Sequence, residues 1–319
     1  MNLQPHRVEF SPYSLRSRVG GVFRSGSLLR VTFADGLVGY ADVHPWTEFG
    51  DAALSDQIAG LRQGDPPPLA AQSVAFARID AEARAERRSV WDGLVVPPSH
   101  ASLPFGFSSD DLDRVRLEGY RHVKLKEVDF TGAELELLAD SGLRVRLDFN
   151  ARLTACEVAD RLDRWSGLVG LDWLEWIEDP CPVETEDWKH LRAEFGITLA
   201  LDWGEDGGQT DFYDVRVVKP ARESFLELIP PPGGVCFTSY LDHPLGQAAA
   251  AYTAAVAVRD GVSFTAAGLA SHRAYNPNAF SAYLSAAGPE FWRDGANPSN
   301  LFGAGFGFDL ALATVGWSD

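Results

Sequence analysis

The chain of 319 residues sets 45 acidic side chains against 28 Lys and Arg, a formal net charge of -17, within a composition that is 45% hydrophobic. That surplus, with no Lys/Arg block to offset it, counts against a nucleic-acid or anionic-membrane partner, and the three cysteines, Cys156, Cys181 and Cys236, an odd number without metal-type spacing, count against a disulfide framework or a zinc site. The start has no basic region followed by an apolar run, and no later stretch reaches about 18 apolar residues, so a cytoplasmic, reducing setting is expected.

Val8-Glu9-Phe10 alternates in polarity, and Ser27 to Phe33 meets a turn at Ala34-Asp35-Gly36 before Leu37 to Tyr40. An Asp-Gly pair between such runs predicts an antiparallel hairpin. Arg16 to Gly26 and His44 to Asp51 read as loops able to close over a site. Helices are predicted over Leu54 to Leu61 and, after Pro66-Pro67-Pro68, over Ala70 to Trp91, whose Ala/Arg/Glu content favours helix. Val96-Pro97-Pro98-Ser99 punctuates the chain, and a boundary there gives an α+β capping domain over residues 1–97, completed by residues 292–319.

Beyond the boundary the rhythm becomes strand, helix, strand. Strands are predicted at Ser102 to Phe105, Arg121 to Lys126, Leu143 to Phe149, Trp173 to Glu178, Ile197 to Asp202, Val215 to Lys219, Val235 to Ser239 and Val262 to Ala266. Eight is the number that closes a parallel barrel, so residues 98–291 are expected to form one. Thr131 with Glu134 and Thr154 with Glu157 fit capping boxes, and Gly119, Gly142 and Gly196 fall where helices end. Gly207 to Asp214 is too short for a full helix, Ala248 to Val258 reads as a small-residue helix, and Phe291 to Asp319 as a glycine-rich tail.

Charged residues fall at the ends of these strands, where parallel barrels keep their chemistry. Asp148, Glu178 and Asp202 on consecutive strands would converge at one mouth and repel unless a cation lay between them. An oxygen-only set without His or Cys favours Mg²⁺ or Mn²⁺. Lys126 and Lys219 flank the carboxylates, and a lysine beside a second ammonium and a metal has its neutral, basic form favoured. Lys124 lies two residues from Lys126, on the same strand face.

The set Lys124-x-Lys126, Asp148-x-Asn150, Glu178-Asp179-Pro180, Asp202 and Lys219 resembles the enolase superfamily, in its muconate lactonizing enzyme-like subgroup, and most of all the o-succinylbenzoate synthases. Gly39-Tyr40-Ala41-Asp42, Thr238-Ser239 and Gly303 to Asp309 carry the likeness to both ends of the chain. It implies an α/β fold, a (β/α)7β TIM-like barrel with an α+β capping domain. It further implies Asp148, Glu178 and Asp202 as Mg²⁺ ligands with Asn150 and Asp179 behind them, Lys126 as acid/base, and Lys219 facing the anionic intermediate. Lys124 would support Lys126, while Ser239, Thr238, Gly26 and Gly268 would touch a small-molecule carboxylate substrate. Trp203-Gly204 after Asp202 and Tyr240-Leu241-Asp242 depart from the family pattern.

The reaction so implied is dehydration of 2-succinyl-6-hydroxy-2,4-cyclohexadiene-1-carboxylate for menaquinone synthesis. Racemisation or epimerisation of N-acylamino acids or dipeptides uses the same lysine spacing and stays open, as does a non-catalytic barrel that serves as a binding protein. A sugar-acid dehydratase is disfavoured, because no His-Asp pair stands at the sixth and seventh strand ends. The chain is expected as a monomer or dimer.

Overall fold

The computed structural model describes residues 5–126, 129–204, 208–224, 230–263, 265–293 and 303–319. Three antiparallel strands open it, β1 (Pro5–Arg16), β2 (Phe23–Phe33) and β3 (Val38–Val43), in the order β1-β2-β3. Helices α1 (Leu54–Gln63) and α2 (Pro68–Ala85) cover the sheet. The contact is closest at Gly39, where a Cβ would lie 1.9 Å from the Ala77 carbonyl oxygen.

The barrel follows as β4 (Ala101–Ser102), α3 (Ser109–Leu117), β5 (His122–Lys126), α4 (Gly132–Asp140), β6 (Arg144–Asp148), α5 (Ala155–Val169), β7 (Leu174–Glu178) and α6 (Thr185–Phe195). It continues through β8 (Leu199–Leu201), β9 (Val215–Val218), β10 (Val235–Phe237) and α7 (Pro244–Arg259), and a one-turn helix α8 (Asp309–Leu312) lies near the end. The seven parallel strands run in sequence from β4 to β10. Residues 265–268 close the ring between its edges: Gly268 N–H donates to Phe237 at 2.8 Å on one side, and Ala267 N–H donates to Pro98 at 2.8 Å on the other. This is the expected capping domain and modified barrel. Among the described residues no helix is long and apolar enough to cross a membrane.

Several boundaries differ from the sequence reading, each for a local reason. The first barrel strand lies earlier than Ser102 to Phe105: Pro104 has no N–H to donate, and Phe105 stands exposed beside the left-handed Gly106. The last strand begins pairing at Ser263, whose carbonyl accepts from Val235 N–H at 3.0 Å, and pairs again over 265–268; Val262 N–H instead finishes α7 on Ala257, and Phe264 is outside the described residues. Helix α2 stops at Ala85, because Arg87 takes left-handed backbone (φ 53°) and Arg88 N–H closes back on Ala83, after which Val90 N–H donates to Gly305 in the tail. The loop from Arg16 contracts to residues 17–22, since Phe23 to Gly26 pair with Tyr13 to Arg16. Helix α7 begins at Pro244, whose missing N–H costs nothing in a first turn.

Both threonine capping boxes form, and Ser108 with Asp111 makes a third. No helix joins β8 to β9 among the described residues, and Gly207 and residues 294–302, also read from the sequence, fall outside them.

Candidate active site

Alternation along each strand turns every second side chain into the barrel. On β5 these are Lys124 and Lys126, on β6 Arg146 and Asp148, and on β7 Trp176 and Glu178, with Lys126 paired to Asp148 and Asp148 to Glu178 in register. Asp202 follows β8 and Lys219 follows β9. Left-handed backbone at Asn150 (φ 49°) and Asp179 (φ 43°) turns the chain out of the barrel directly after the two carboxylates.

The structure brings these charges into contact. Lys124 Nζ donates to both Glu178 oxygens, at 2.6 and 2.8 Å, and lies 2.9 Å from Asp148 Oδ2. Lys126 Nζ reaches the same Asp148 oxygen at 3.0 Å while most of its side chain stays exposed. Lys219 pairs with Asp202, and its ammonium sits 5.0 Å above the Trp203 ring. Asp179 accepts from the N–H groups of Asp202 (3.0 Å) and Trp203 (3.1 Å), which fixes the end of β8, and Asn150 N–H donates to Asp148 Oδ1 at 3.1 Å.

Burial governs the electrostatics. It pushes the Glu178 carboxyl up to about 8, because Asp148 and Asp202 reinforce the burial and Lys124 and Lys219 offset only part of it. Asp179 rises to about 7 through burial and the neighbouring Asp202. Asp148 goes the other way: burial would raise it, but Lys124 and Lys126 outweigh that and hold it down. Lys124 stays cationic, since Glu178, Asp148 and Asp202 outweigh its burial. Lys124 is therefore bound to the carboxylates themselves, whereas the sequence placed it in support of Lys126.

As the side chains stand, no three His, Cys, Asp or Glu among the described residues are gathered closely enough to hold an ion. Lysine ammonium groups lie against the carboxylates instead. The donor chemistry nevertheless fits a hard divalent cation, because three carboxylate groups at or just past the ends of neighbouring strands supply oxygen alone.

Three of the four expected substrate contacts lie together, with Ser239 N–H donating to the Gly268 carbonyl at 3.0 Å. Thr238 and Gly268 meet as a parallel bridge, and Ser239 Oγ lies 2.6 Å from Ser271 Oγ. Gly26 sits in β2, packed so closely that a Cβ would fall 2.3 Å from Tyr13 Oη.

The sequence reading missed a clasp between the cap and the barrel. Trp46 Nε1 donates to the Tyr240 carbonyl at 2.9 Å, Tyr240 Oη donates to Asp51 at 2.8 Å, and Phe49 packs on Trp203 at 5.0 Å. Arg222 lies over Trp203 at 4.4 Å and reaches Asp51 at 3.4 Å. The two departures from the family pattern, Trp203 and Tyr240, both belong to this clasp, and the aromatic content of residues 44–51 was its only signal.

A family model described as the O-succinylbenzoate synthase N-terminal domain matches residues 8–83. An o-succinylbenzoate synthase of Bdellovibrio bacteriovorus is 32% identical over 98% of this chain and 98% of its own length. Among solved structures, an o-succinylbenzoate synthase of Thermosynechococcus elongatus, complexed with Mg in its active site, is 20% identical with a TM-score of 0.63, covering 85% of this chain and 94% of that one. A dipeptide epimerase of Enterococcus faecalis is 14% identical with a TM-score of 0.70, covering 95% of this chain and 99% of that one.

Proposed function

Because the chain belongs to the o-succinylbenzoate synthase family of the enolase superfamily, a family of hydro-lyases, we propose that it dehydrates 2-succinyl-6-hydroxy-2,4-cyclohexadiene-1-carboxylate to o-succinylbenzoate. The reaction serves menaquinone synthesis in the cytoplasm. The observation that carries this reading is the row of carboxylates on adjacent strand ends, Asp148, Glu178 and Asp202, with Lys126 to one side and Lys219 to the other.

Asp148, Glu178 and Asp202 would hold Mg²⁺, or Mn²⁺ in its place. The ion supplies positive charge beside the substrate carboxylate, which makes the neighbouring C–H acidic enough to lose its proton, the logic of enolase-superfamily sites in general. Asp179 and Asn150 keep the ligand-bearing strand ends in place. Lys126 Nζ removes the α-proton and returns a proton to the departing hydroxyl, so one C–H and one C–O bond break, water leaves and the ring becomes aromatic. The Lys219 ammonium, held over Trp203, faces the negative charge that develops on the substrate.

The test is loss of the cyclohexadiene absorbance with Mg²⁺ and then with EDTA, for the wild type and Lys126→Ala. Metal-dependent loss by the wild type, reduced roughly 10²- to 10⁴-fold in the variant, supports the reading. An inert wild type, or a fully active Lys126→Ala, overturns it.

A further inference from the structure

One barrel residue outside this machinery has the geometry to touch substrate. His100 precedes β4 on the strand that closes the ring, and its N–H donates to Ala267 at 2.7 Å. Its ring meets the fully buried Arg146, whose Nη1 lies 2.9 Å from His100 Nδ1. A guanidinium has donors only, so Nδ1 must present a lone pair and the single ring proton of the neutral imidazole resides on Nε2.

Arg146 is itself tightly held. Its Nη1 also donates to the Ala266 carbonyl at 2.6 Å, its Nε donates to Glu175 at 2.7 Å, and its guanidinium stacks 3.8 Å from the Trp176 ring centre. It lies two residues below Asp148 on the same face of β6, one side-chain layer beneath the carboxylates.

Gly268 has no side chain, and a Cβ there would sit 2.9 Å from His100 Cε1, 3.2 Å from His100 Nε2 and 2.9 Å from Thr238 Cγ2. The imidazole thus fills the volume that any other residue at 268 would need, and it remains only part-buried. Thr238, whose methyl Cγ2 packs on the same face of Gly268, has its Oγ1 buried without a partner among the described residues. A ring proton and a hydroxyl without protein acceptors or donors among the described residues therefore belong to two side chains packed against one glycine.

Resting on the functional reading above, we propose that His100 is a substrate-contacting residue: its Nε2–H, aimed by Arg146, donates a hydrogen bond to an oxygen of the bound carboxylate substrate beside Gly268, with Thr238 Oγ1 as its companion. Arg146 acts through His100 as a positioning residue. Burial and the charges of Arg146, Lys124 and Lys126 all favour the neutral ring, so His100 supplies a hydrogen bond and transfers no proton.

Two side-chain replacements and one spectrum test this. His100→Leu removes the donor, and kcat/KM falls about 10²-fold, the effect of losing one aimed donor. His100→Gln restores an N–H near the Nε2 position and stays within about tenfold of wild type. Unchanged turnover in His100→Leu, or His100→Gln as impaired as His100→Leu, overturns the proposal. In the wild type, imidazole ¹⁵N spectra show the His100 proton on Nε2 across pH 6 to 8, and that resonance moves when o-succinylbenzoate is added with Mg²⁺; a resonance that stays put overturns the proposal even if His100→Leu fails to fold. A wild type inert toward the cyclohexadiene breaks the functional reading separately, and N-succinylamino acids then replace o-succinylbenzoate as the probe for the same resonance.

Discussion

The two halves of the barrel are built differently. From β5 to α6 each strand has five residues, α4 and α5 start on reciprocal threonine-glutamate caps, and a hydrophobic cluster between Ala101 and Tyr213, which includes Leu135, Trp165 and Trp188 and reaches Leu199 and Leu201 of β8, contains no residue of the cap. From β8 to β10 the strands have three, four and three residues, and Leu245, Ala248 and Ala251 of α7 share a core with Leu29, Val31 and Phe33 of the cap. The first half supports itself, and the second leans on the cap. The charged constellation straddles that seam: Lys124, Lys126, Asp148 and Glu178 rest on the self-supporting side, Asp202 follows β8, whose Leu199 and Leu201 pack with that side, and Lys219 follows β9, whose Val218 shares the cap's core.

Arg146 ties the halves together, so it offers the largest way to break the contrast. Arg146→Met leaves Glu175 without its buried cation and frees the Ala266 carbonyl, and should cost about 3–5 kcal/mol by urea unfolding. A loss under about 1 kcal/mol would mean that the halves do not depend on this link.

Next in size is a pH effect that belongs to the first half. A carboxyl whose folded value is raised, as Glu178 is to about 8, stabilises the fold below its unfolded value near 4.5, and that contribution is lost as pH climbs through 8. Metal-free protein should therefore lose several degrees of Tm between about pH 5 and 8, and Glu178→Gln should flatten much of that fall. Asp179 and Asp42, raised to about 7 chiefly by burial, keep a residual slope. An unchanged slope in the variant would remove Glu178 as its source.

Asp51→Ala tests the cap's grip on the second half. The change strips Tyr240 Oη and Trp46 N–H of their acceptor and should cost about 1–3 kcal/mol. Hydrogen exchange should rise around β9 and β10 before it rises around β5 to β7, and the reverse order would contradict the division drawn above. The smallest effect is Thr154→Ala, which deletes the cap of α5 for about 1 kcal/mol and should leave turnover untouched because that half carries its own core.

The same division decides what could be read from the chain beforehand. In the first half, apolar runs ending in Lys126, Asp148 and Glu178, the first two followed by a helix with its own capping box, announce both the strands and the residues at their ends. Signals in the second half are weaker. Residues 265–268 join the sheet through backbone hydrogen bonds, yet after Thr265 they offer only Ala266, Ala267 and Gly268, which carry none of the branched or aromatic character that marks a strand. His100 escaped notice because the first strand was placed past it, beyond two prolines. The clasp of Trp46, Asp51, Tyr240 and Arg222 joins residues nearly 200 positions apart, as the separation of 194 between Trp46 and Tyr240 records, and no local pattern encodes such a pairing.

One buried carboxylate has a consequence for the order of events during synthesis. Asp80, fully enclosed in α2, accepts from Tyr40 N–H at 3.0 Å, from Arg84 Nε at 2.6 Å and from Phe306 N–H at 2.7 Å, and the approach of the tail is close enough that a Cβ at Gly305 would meet Asp80 Oδ1 at 2.0 Å. Phe306 emerges from the ribosome 226 positions after Asp80. Through that interval α2 carries an acid with one of its hydrogen bonds unmade. The cap, translated ahead of the barrel, therefore completes its packing after it, once the whole barrel has been spun out between its parts, and a stall anywhere in the barrel leaves a cap that is folded in outline with an unfilled acceptor at its centre.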